Sequence, residues 1–126
     1  MAGAVLRVTD ASGRSMDDPT EEVLHDFLAN MNLRWQFVIV DRLDREPVGQ
    51  HYMQVHLNDD LSYDVEYREG GGDHHFQAHV PRQHEITGCE PVARILQDWA
   101  FDRPGWRDAL QWEPWAPPSD GANQQF

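Results

Sequence analysis

Three consecutive segments alternate between apolar and polar residues, and they constrain the fold of this chain more than any other feature. The segments span residues 50–57, 61–68 and 74–80, with turn-forming residues between them. A period of two predicts half-buried strands, and short turns predict an antiparallel meander with one apolar and one polar face. The residues predicted to face the core are His51, Met53, Val55, Leu57, Leu61, Tyr63, Val65, Tyr67, His74, Phe76, Ala78 and Val80.

The loops predict which residues pair across the meander. A three-residue loop of Asn and Asp after the first segment predicts Leu57 opposite Leu61. A four-residue, glycine-rich loop after the second segment predicts Tyr67 opposite Phe76. Both loops agree with the alternation, because paired residues of an antiparallel ladder share a face.

Further elements flank the meander. Residues 4–9 alternate like a first strand, and Asp18 precedes an apolar stripe at helical spacing, which predicts a helix capped by Asp18. Residues 35–41 are apolar on both faces through their middle, which is typical of a central strand covered on both sides. A second helix is predicted over residues 89–101, before Pro104 and Gly105.

These patterns predict an α+β fold. Its antiparallel sheet follows the order β-α-β-β-β-β-α, with two helices packed on one face and a Trp-rich C-terminal closure. The tryptophans of the C-terminal region are Trp99, Trp106, Trp112 and Trp115. The length predicts one domain over residues 1–115, and residues 116–126 have the composition of a disordered tail.

The charge balance restricts the partners. The chain carries 22 acidic and 10 basic residues, for a formal net charge of −12. Nucleic acids and anionic membranes bind proteins through basic patches, so both are excluded as expected partners. A basic protein would instead be attracted and steered toward this chain.

The cysteine content and the N-terminus bear on the compartment. Cys89 is the single cysteine, so no internal disulfide and no multi-cysteine zinc site can form. The N-terminal apolar run is too short for a signal peptide, and no stretch is long enough to span a bilayer. A cytoplasmic location is therefore expected.

The polar side of the meander is the candidate binding site. Cross-strand neighbours lie close enough to interact, so its side chains would form one continuous surface. The predicted rows place Gln54 beside Asp64 and Tyr52 beside Glu66. The full set is Tyr52, Gln54, Asp64, Glu66, Arg68, His75, Gln77 and His79. The alternative is an ordinary solvated sheet face, which is the usual fate of one side of an antiparallel sheet.

Catalytic, metal and cofactor sites find less support in the sequence. Asp64 and Glu66 on one face, with His79 beside them, could act as acid–base residues, but any acidic pair two positions apart on a strand would meet that description. The histidine spacing does not bring together enough ligands for a transition metal. No metal site, cofactor or catalytic residue is therefore predicted, and an enzyme is the less favoured interpretation.

The order of local motifs resembles a group of small, mostly uncharacterised bacterial proteins. The motifs are Pro-Thr-Glu-Glu at 19–22, Phe-Val-Ile-Val at 37–40, Val-Glu-Tyr-Arg at 65–68, His-Phe-Gln-Ala at 75–78 and the closing Gly105-Trp106 with Trp112. Some of these proteins look like the acidic immunity proteins that accompany polymorphic toxins. The resemblance covers about residues 4–115 and implies an α+β fold, but it transfers no functional residue.

Two classes of function follow. The favoured one is a non-enzymatic protein-binding domain, namely an immunity or inhibitor protein for a basic toxin. The alternative is a small-molecule-binding domain or acid–base enzyme that uses Asp64, Glu66 and His79 on the polar face. A structural subunit, or a homodimer formed through an exposed strand edge, is the further option.

Overall fold

The computed structural model describes residues 4–83 and 88–115 and contains seven strands and three helices within them. The strands are β1 (Leu6–Asp10), β2 (Ser15–Asp17), β3 (Phe37–Arg42), β4 (His51–Leu57), β5 (Tyr63–Glu69), β6 (His75–Val80) and β7 (Glu113–Pro114). The helices are α1 (Glu21–Ala29), α2 (Glu90–Ala100) and α3 (Trp106–Ala109). The predicted tail, residues 116–126, lies outside the described residues.

All described strands join one antiparallel sheet in the order β2-β1-β3-β4-β5-β6-β7. The α+β class and the alternation of the long strands are thus confirmed. The short strand β2 adds to the predicted element order, and the single turn of α3 and the short strand β7 form within the predicted Trp-rich closure. Both edges of the sheet consist of very short strands, which is a common way to limit pairing with another chain.

The helices pack on one face of the sheet and form the core with it. Leu24, Phe27 and Leu28 of α1 are buried there, as are Val92 and Leu96 of α2. In the part of the chain that the structure describes, no helix is long and apolar enough to cross a bilayer. The opposite face of the sheet carries no helix from the described residues, and it is called the open face below.

The pairing predicted for the first hairpin is wrong by two residues. Leu57 lies opposite Tyr63, not Leu61, because the loop contains five residues, not three. The Asn58 N–H donates to the Ser62 carbonyl at 2.8 Å, which closes the longer loop. Leu61 adopts a left-handed φ of +70° and is 37% exposed, so it does not face the core. The pairing of Tyr67 with Phe76 is confirmed.

Neither of the two histidines predicted to face the core is buried in it. His74 lies exposed in a short 3-10 turn before β6, and His51 is only half-buried. The neighbouring His75, which belongs to the opposite face, is 3% exposed. The alternation therefore assigns the face of His75 correctly but not its burial.

The predicted cap of the first helix is also wrong. Thr20 is the N-cap, since its hydroxyl accepts from the Val23 N–H at 3.2 Å. The Asp18 carboxylate instead accepts from the backbone N–H groups of Val5 at 2.9 Å and Leu6 at 3.1 Å. Asp18 therefore anchors the start of β1, a role that depends on a contact distant in sequence.

Among the described residues, helices cover the central strand β3 on one side only. Val38 and Val40 are fully buried against the helices, whereas Phe37 and Ile39 on the open face are half-buried. The expectation of two covered faces is therefore wrong. The apolar residues of the outer side instead give the open face an apolar portion beside its polar rows.

The C-terminal tryptophans form part of the predicted closure. Trp106 of α3 and Trp112 make edge-to-face contacts with Tyr67, both with ring centroids 4.8 Å apart. The Trp112 indole N–H donates to the Trp106 carbonyl at 3.3 Å. Trp99 is buried in the core, but Trp115 follows β7 onto the open face, where its ring lies 4.6 Å from that of His75.

Candidate binding face of the sheet

The eight polar residues proposed from the sequence all lie on the open face. The cross-strand pairs Asp64–His79, Glu66–Gln77 and Arg68–His75 occur as predicted. The β4 residues are displaced by two positions, so Gln54 pairs with Glu66 and Tyr52 with Arg68. The displacement follows from the longer first hairpin. A shift of two residues preserves the side to which each side chain points, so the face remains intact.

Most of this face is not simply solvated. Of the eight residues, only His79 is exposed, His75 is buried and the others are half-buried. Polar groups that lose contact with water need partners, because an unpaired buried polar group is costly. The contacts among these side chains therefore define the site.

His75 is the centre of the polar cluster. The Arg68 Nε–H donates to its Nδ1 at 3.0 Å, and its Nε2 lies 3.0 Å from the Glu66 carboxylate. Because an arginine can only donate, Nδ1 must carry a lone pair, and the neutral tautomer places the proton on Nε2. Nε2–H then donates to Glu66. The three side chains form a chain of hydrogen bonds with defined polarity.

Aromatic rings and an amide complete the cluster. Tyr52 meets the His75 ring edge-to-face at 5.9 Å, and Trp115 lies against the same ring at 4.6 Å. Arg68 donates a second hydrogen bond to the Gln50 side chain at 2.6 Å. The imidazole is thus held between two aromatic residues, and side chains held in place in this way suit specific recognition.

Asp41 is a site residue that the sequence analysis missed. It lies on β3 opposite both Tyr52 and Arg7, so it belongs to the open face, and it is half-buried. Burial raises the pKa of its carboxyl group, and the nearby Arg7 only partly offsets this effect. Arg7 directs its guanidinium to Asp17 at 2.6 and 3.2 Å. Among the described residues, the Asp41 carboxylate has no hydrogen-bond or ion-pair partner.

Tyr52 lies between the two parts of this surface. Burial raises the pKa of its hydroxyl, and the negative charges of Glu66 and Asp41 add to the effect, while Arg68 opposes it. Trp115 was also missed as a site residue, because its only sequence signal was its place in a Trp-rich segment. Asp41 gave no signal beyond standing at the end of an apolar strand.

The arrangement gives little support to catalysis by Asp64, Glu66 and His79. His79 Nδ1 lies 2.8 Å from Asp64 at an exposed position, while Glu66 is engaged with His75. Four surface cavities of the described part of the chain, the largest of about 400 Å³, are lined by other residues. Among the described residues, no group of three or more His, Cys, Asp or Glu is placed to hold a metal ion.

Cys89 lies outside the open face and is not arranged as a nucleophile. Its sulfur is 3.8 Å from His25 Nε2, but Glu90 contacts the same nitrogen at 2.7 Å. A carboxylate that orients a catalytic histidine must contact the other ring nitrogen. Burial and the charge of Glu90 raise the pKa of the thiol, which disfavours the reactive thiolate.

Replacement of Asp41 by asparagine is expected to stabilise the fold at neutral pH, by at most about 1 kcal/mol. A carboxyl group with a raised folded-state pKa binds its proton more tightly in the folded state. Its ionisation therefore costs stability above that pKa. The Asp41→Asn variant should be no more stable than the parent below about pH 4, which is the pKa of an Asp carboxyl group in the unfolded chain. The gain in stability should be complete at neutral pH.

Urea unfolding of both proteins between pH 3 and pH 8 measures this difference. Replacement of Asp64 by asparagine is the control, since that carboxylate is 41% exposed and contacts His79. A variant at Asp41 that is less stable than the parent at neutral pH would contradict the interpretation of this carboxylate as uncompensated.

The described elements define a class of α+β protein in which helices cover one face of a seven-stranded antiparallel sheet and polar side chains form an ordered cluster on the other. No protein-family model, curated protein or solved structure matches the chain. Its function must therefore be argued from the site.

Proposed function

We propose that this chain is a non-enzymatic protein-binding domain that acts in the cytoplasm as an immunity or inhibitor protein for a basic toxin. The open face is its binding surface. The observation that carries the proposal is the ordered polar cluster around His75 on a sheet face that no described helix covers. The sequence resemblance to acidic immunity proteins supports the same class of function.

The charges favour a basic partner. The described strands of the open face carry more carboxylates than guanidinium groups. The carboxylates belong to Asp17, Asp41, Asp64, Glu66 and Glu113, and the guanidinium groups to Arg7 and Arg68. The whole chain has a net charge of −12. Complementary charge increases the rate of association and discriminates against wrong partners more than it raises affinity. Nucleic acid and anionic membranes remain disfavoured for the same reason.

Co-purification from the native bacterium tests the proposal. We expect the tagged protein to retain one basic protein at equal stoichiometry in moderate salt, and to protect cells that express that protein. A Glu66→Arg/Gln77→Arg variant should lose the partner, because it reverses the charge at the centre of the face. Glu22→Arg on the exposed side of α1 is the control and should retain it. Recovery of no stoichiometric partner would contradict the proposal.

A small-molecule-binding domain or acid–base enzyme is the second candidate. The contact between Asp64 and His79 favours it, since a carboxylate can orient an imidazole for proton transfer. Both side chains are about half exposed, so the site lacks the enclosure typical of small-molecule pockets. Amide shifts confined to these two residues in a screen of metabolites would favour this candidate over a protein partner.

A further inference from the structure

The open face contains one half-buried carboxylate that makes no hydrogen bond or ion pair with the described residues, and its surroundings indicate which group could compensate it. Asp41 occupies a cross-strand row with Arg7 on one side and Tyr52 on the other. The row continues from Arg7 to Asp17 and from Tyr52 to Arg68. Every other charged residue of this row has a partner within the row or beside it, because Arg7 pairs with Asp17 and Arg68 contacts His75 and Gln50.

We infer that Asp41 is the anchor for an arginine side chain of the basic partner, which pairs with the carboxylate and lies against the Tyr52 ring. The inference rests on the proposed function and identifies the contact that the partner makes. A half-buried carboxylate without a partner costs stability. A guanidinium supplies the paired hydrogen bonds that the carboxylate lacks.

Arginine suits this position better than lysine. The guanidinium is planar, is more weakly hydrated than an ammonium group, and stacks on aromatic rings while it donates to a carboxylate. Arg68 approaches the Tyr52 ring at 6.0 Å from the β5 side. Among the described residues, no other cation lies over the Tyr52 ring, so the partner's guanidinium is placed on the β3 side, where Asp41 lies. An arginine on the β3 side would contact the Tyr52 ring from one side, as Arg68 does from the other.

The remaining acidic residues of the face play a different part. Asp64 already contacts His79, Asp17 contacts Arg7, and Glu66 contacts His75. Glu113 is exposed to solvent, so it too gains little from a new cation. Charges that are already paired gain less from a new cation, so they steer the partner but do not anchor it. Asp41 is thus expected to dominate the binding free energy, whereas the others affect chiefly the rate of association.

The test is an NMR titration of the labelled full-length protein with an oligo-arginine peptide and an oligo-lysine peptide of equal length at low salt. We expect the largest amide shifts around Asp41 and Tyr52, and tighter binding of the arginine peptide. Asp41→Asn should weaken that binding by about tenfold, the cost of one charge-assisted pair. Glu22→Gln changes the net charge equally at an exposed site on α1 and should weaken it less than about twofold.

Equal effects of the two substitutions would overturn the inference, because they would show that the peptide senses only net charge. The absence of peptide binding, or shifts centred elsewhere, would also overturn it. The outcome is separable from that of the proposed function. If Asp41→Asn still captures the native partner at full affinity, the anchor is wrong and the proposed function stands. If no native partner exists but peptide binding depends on Asp41, the proposed function is wrong and Asp41 stands as an arginine-binding residue.

Discussion

Replacement of Trp106 by alanine is expected to destabilise the protein by about 3–5 kcal/mol, the range for a large aromatic residue removed from a core. Trp106 is 6% exposed and contacts Tyr67 at 4.8 Å and Trp112 at 5.9 Å. Arg107 lies over the same ring at 4.3 Å. The substitution therefore leaves a cavity and also removes aromatic pairs, each of which contributes beyond its buried area.

Urea unfolding measures this effect, and two further variants show its cause. Trp35→Ala should cost less than about 1 kcal/mol, because Trp35 is 38% exposed. Trp106→Phe should recover part of the loss, because it retains an aromatic ring against Tyr67. Equal losses for the alanine variants at positions 35 and 106 would show that the C-terminal closure contributes no more than a surface residue. The total stability of a domain this size is about 5–15 kcal/mol, so Trp106→Ala should remove a large part of it.

Replacement of Arg42 by methionine is expected to cost about 1–2 kcal/mol, because it removes a buried guanidinium whose carboxylate partners, Asp44 and Asp102, are 37% and 60% exposed. The Arg42 side chain is only 6% exposed and donates two hydrogen bonds to Asp44, at 3.0 and 2.9 Å. Its Nη1 also donates to Asp102 at 3.0 Å and to the Ala100 carbonyl at 3.3 Å, at the end of α2. Methionine keeps most of the apolar stem, so the loss measures the guanidinium contacts.

The loss of stability in Arg42→Met should depend on pH, because Arg42 shifts the pKa values of its carboxylate partners. The hydrogen bonds from Arg42 lower the pKa of Asp44 and of Asp102. A carboxyl group with a lowered folded-state pKa stabilises the fold above its unfolded value and loses that contribution as pH falls through the folded value. The difference between parent and variant should therefore be full at pH 7 and should narrow below about pH 4.

Arg7→Met is the matched control for Arg42→Met. Arg7 pairs with Asp17 at 2.6 Å, but both side chains are about half exposed. Exposed pairs contribute little to stability, so this variant should change the unfolding midpoint little. A larger loss at Arg7 than at Arg42 would contradict the structural role assigned to the buried Arg42 guanidinium.

The alternation of residues predicted the fold class and which residues share the candidate face, because the side on which a strand residue lies depends only on parity. Register depends on loop geometry, and the left-handed conformation of Leu61 was not visible in a loop of Asn and Asp residues. The displacement of two positions changed the neighbours of Tyr52 and Gln54 but not their side of the sheet. The side to which each side chain points was therefore predicted correctly even where its cross-strand partner was not.

Contacts between residues distant in sequence could not be predicted. Arg42 begins a charged stretch of the sequence with no local sign of burial, and its guanidinium pairs with Asp102, sixty positions away. Asp18 stands where a helix cap is expected in the sequence, but its carboxylate accepts from the backbone N–H of Val5. The partial burial of Asp41 and the placement of Trp115 on His75 likewise arise from the folded sheet. Local patterns carry no information about such partners.

The last described segment passes from one side of the sheet to the other. Trp106 and Trp112 pack against Tyr67 on the helical side, and β7 then leads the chain to Trp115 beside His75. Local opening of this segment would therefore expose the apolar cluster and remove one wall of the proposed binding site in a single event. A partner that holds Trp115 in place would, by linkage, also protect the amides of α3 from hydrogen exchange on the far side of the sheet.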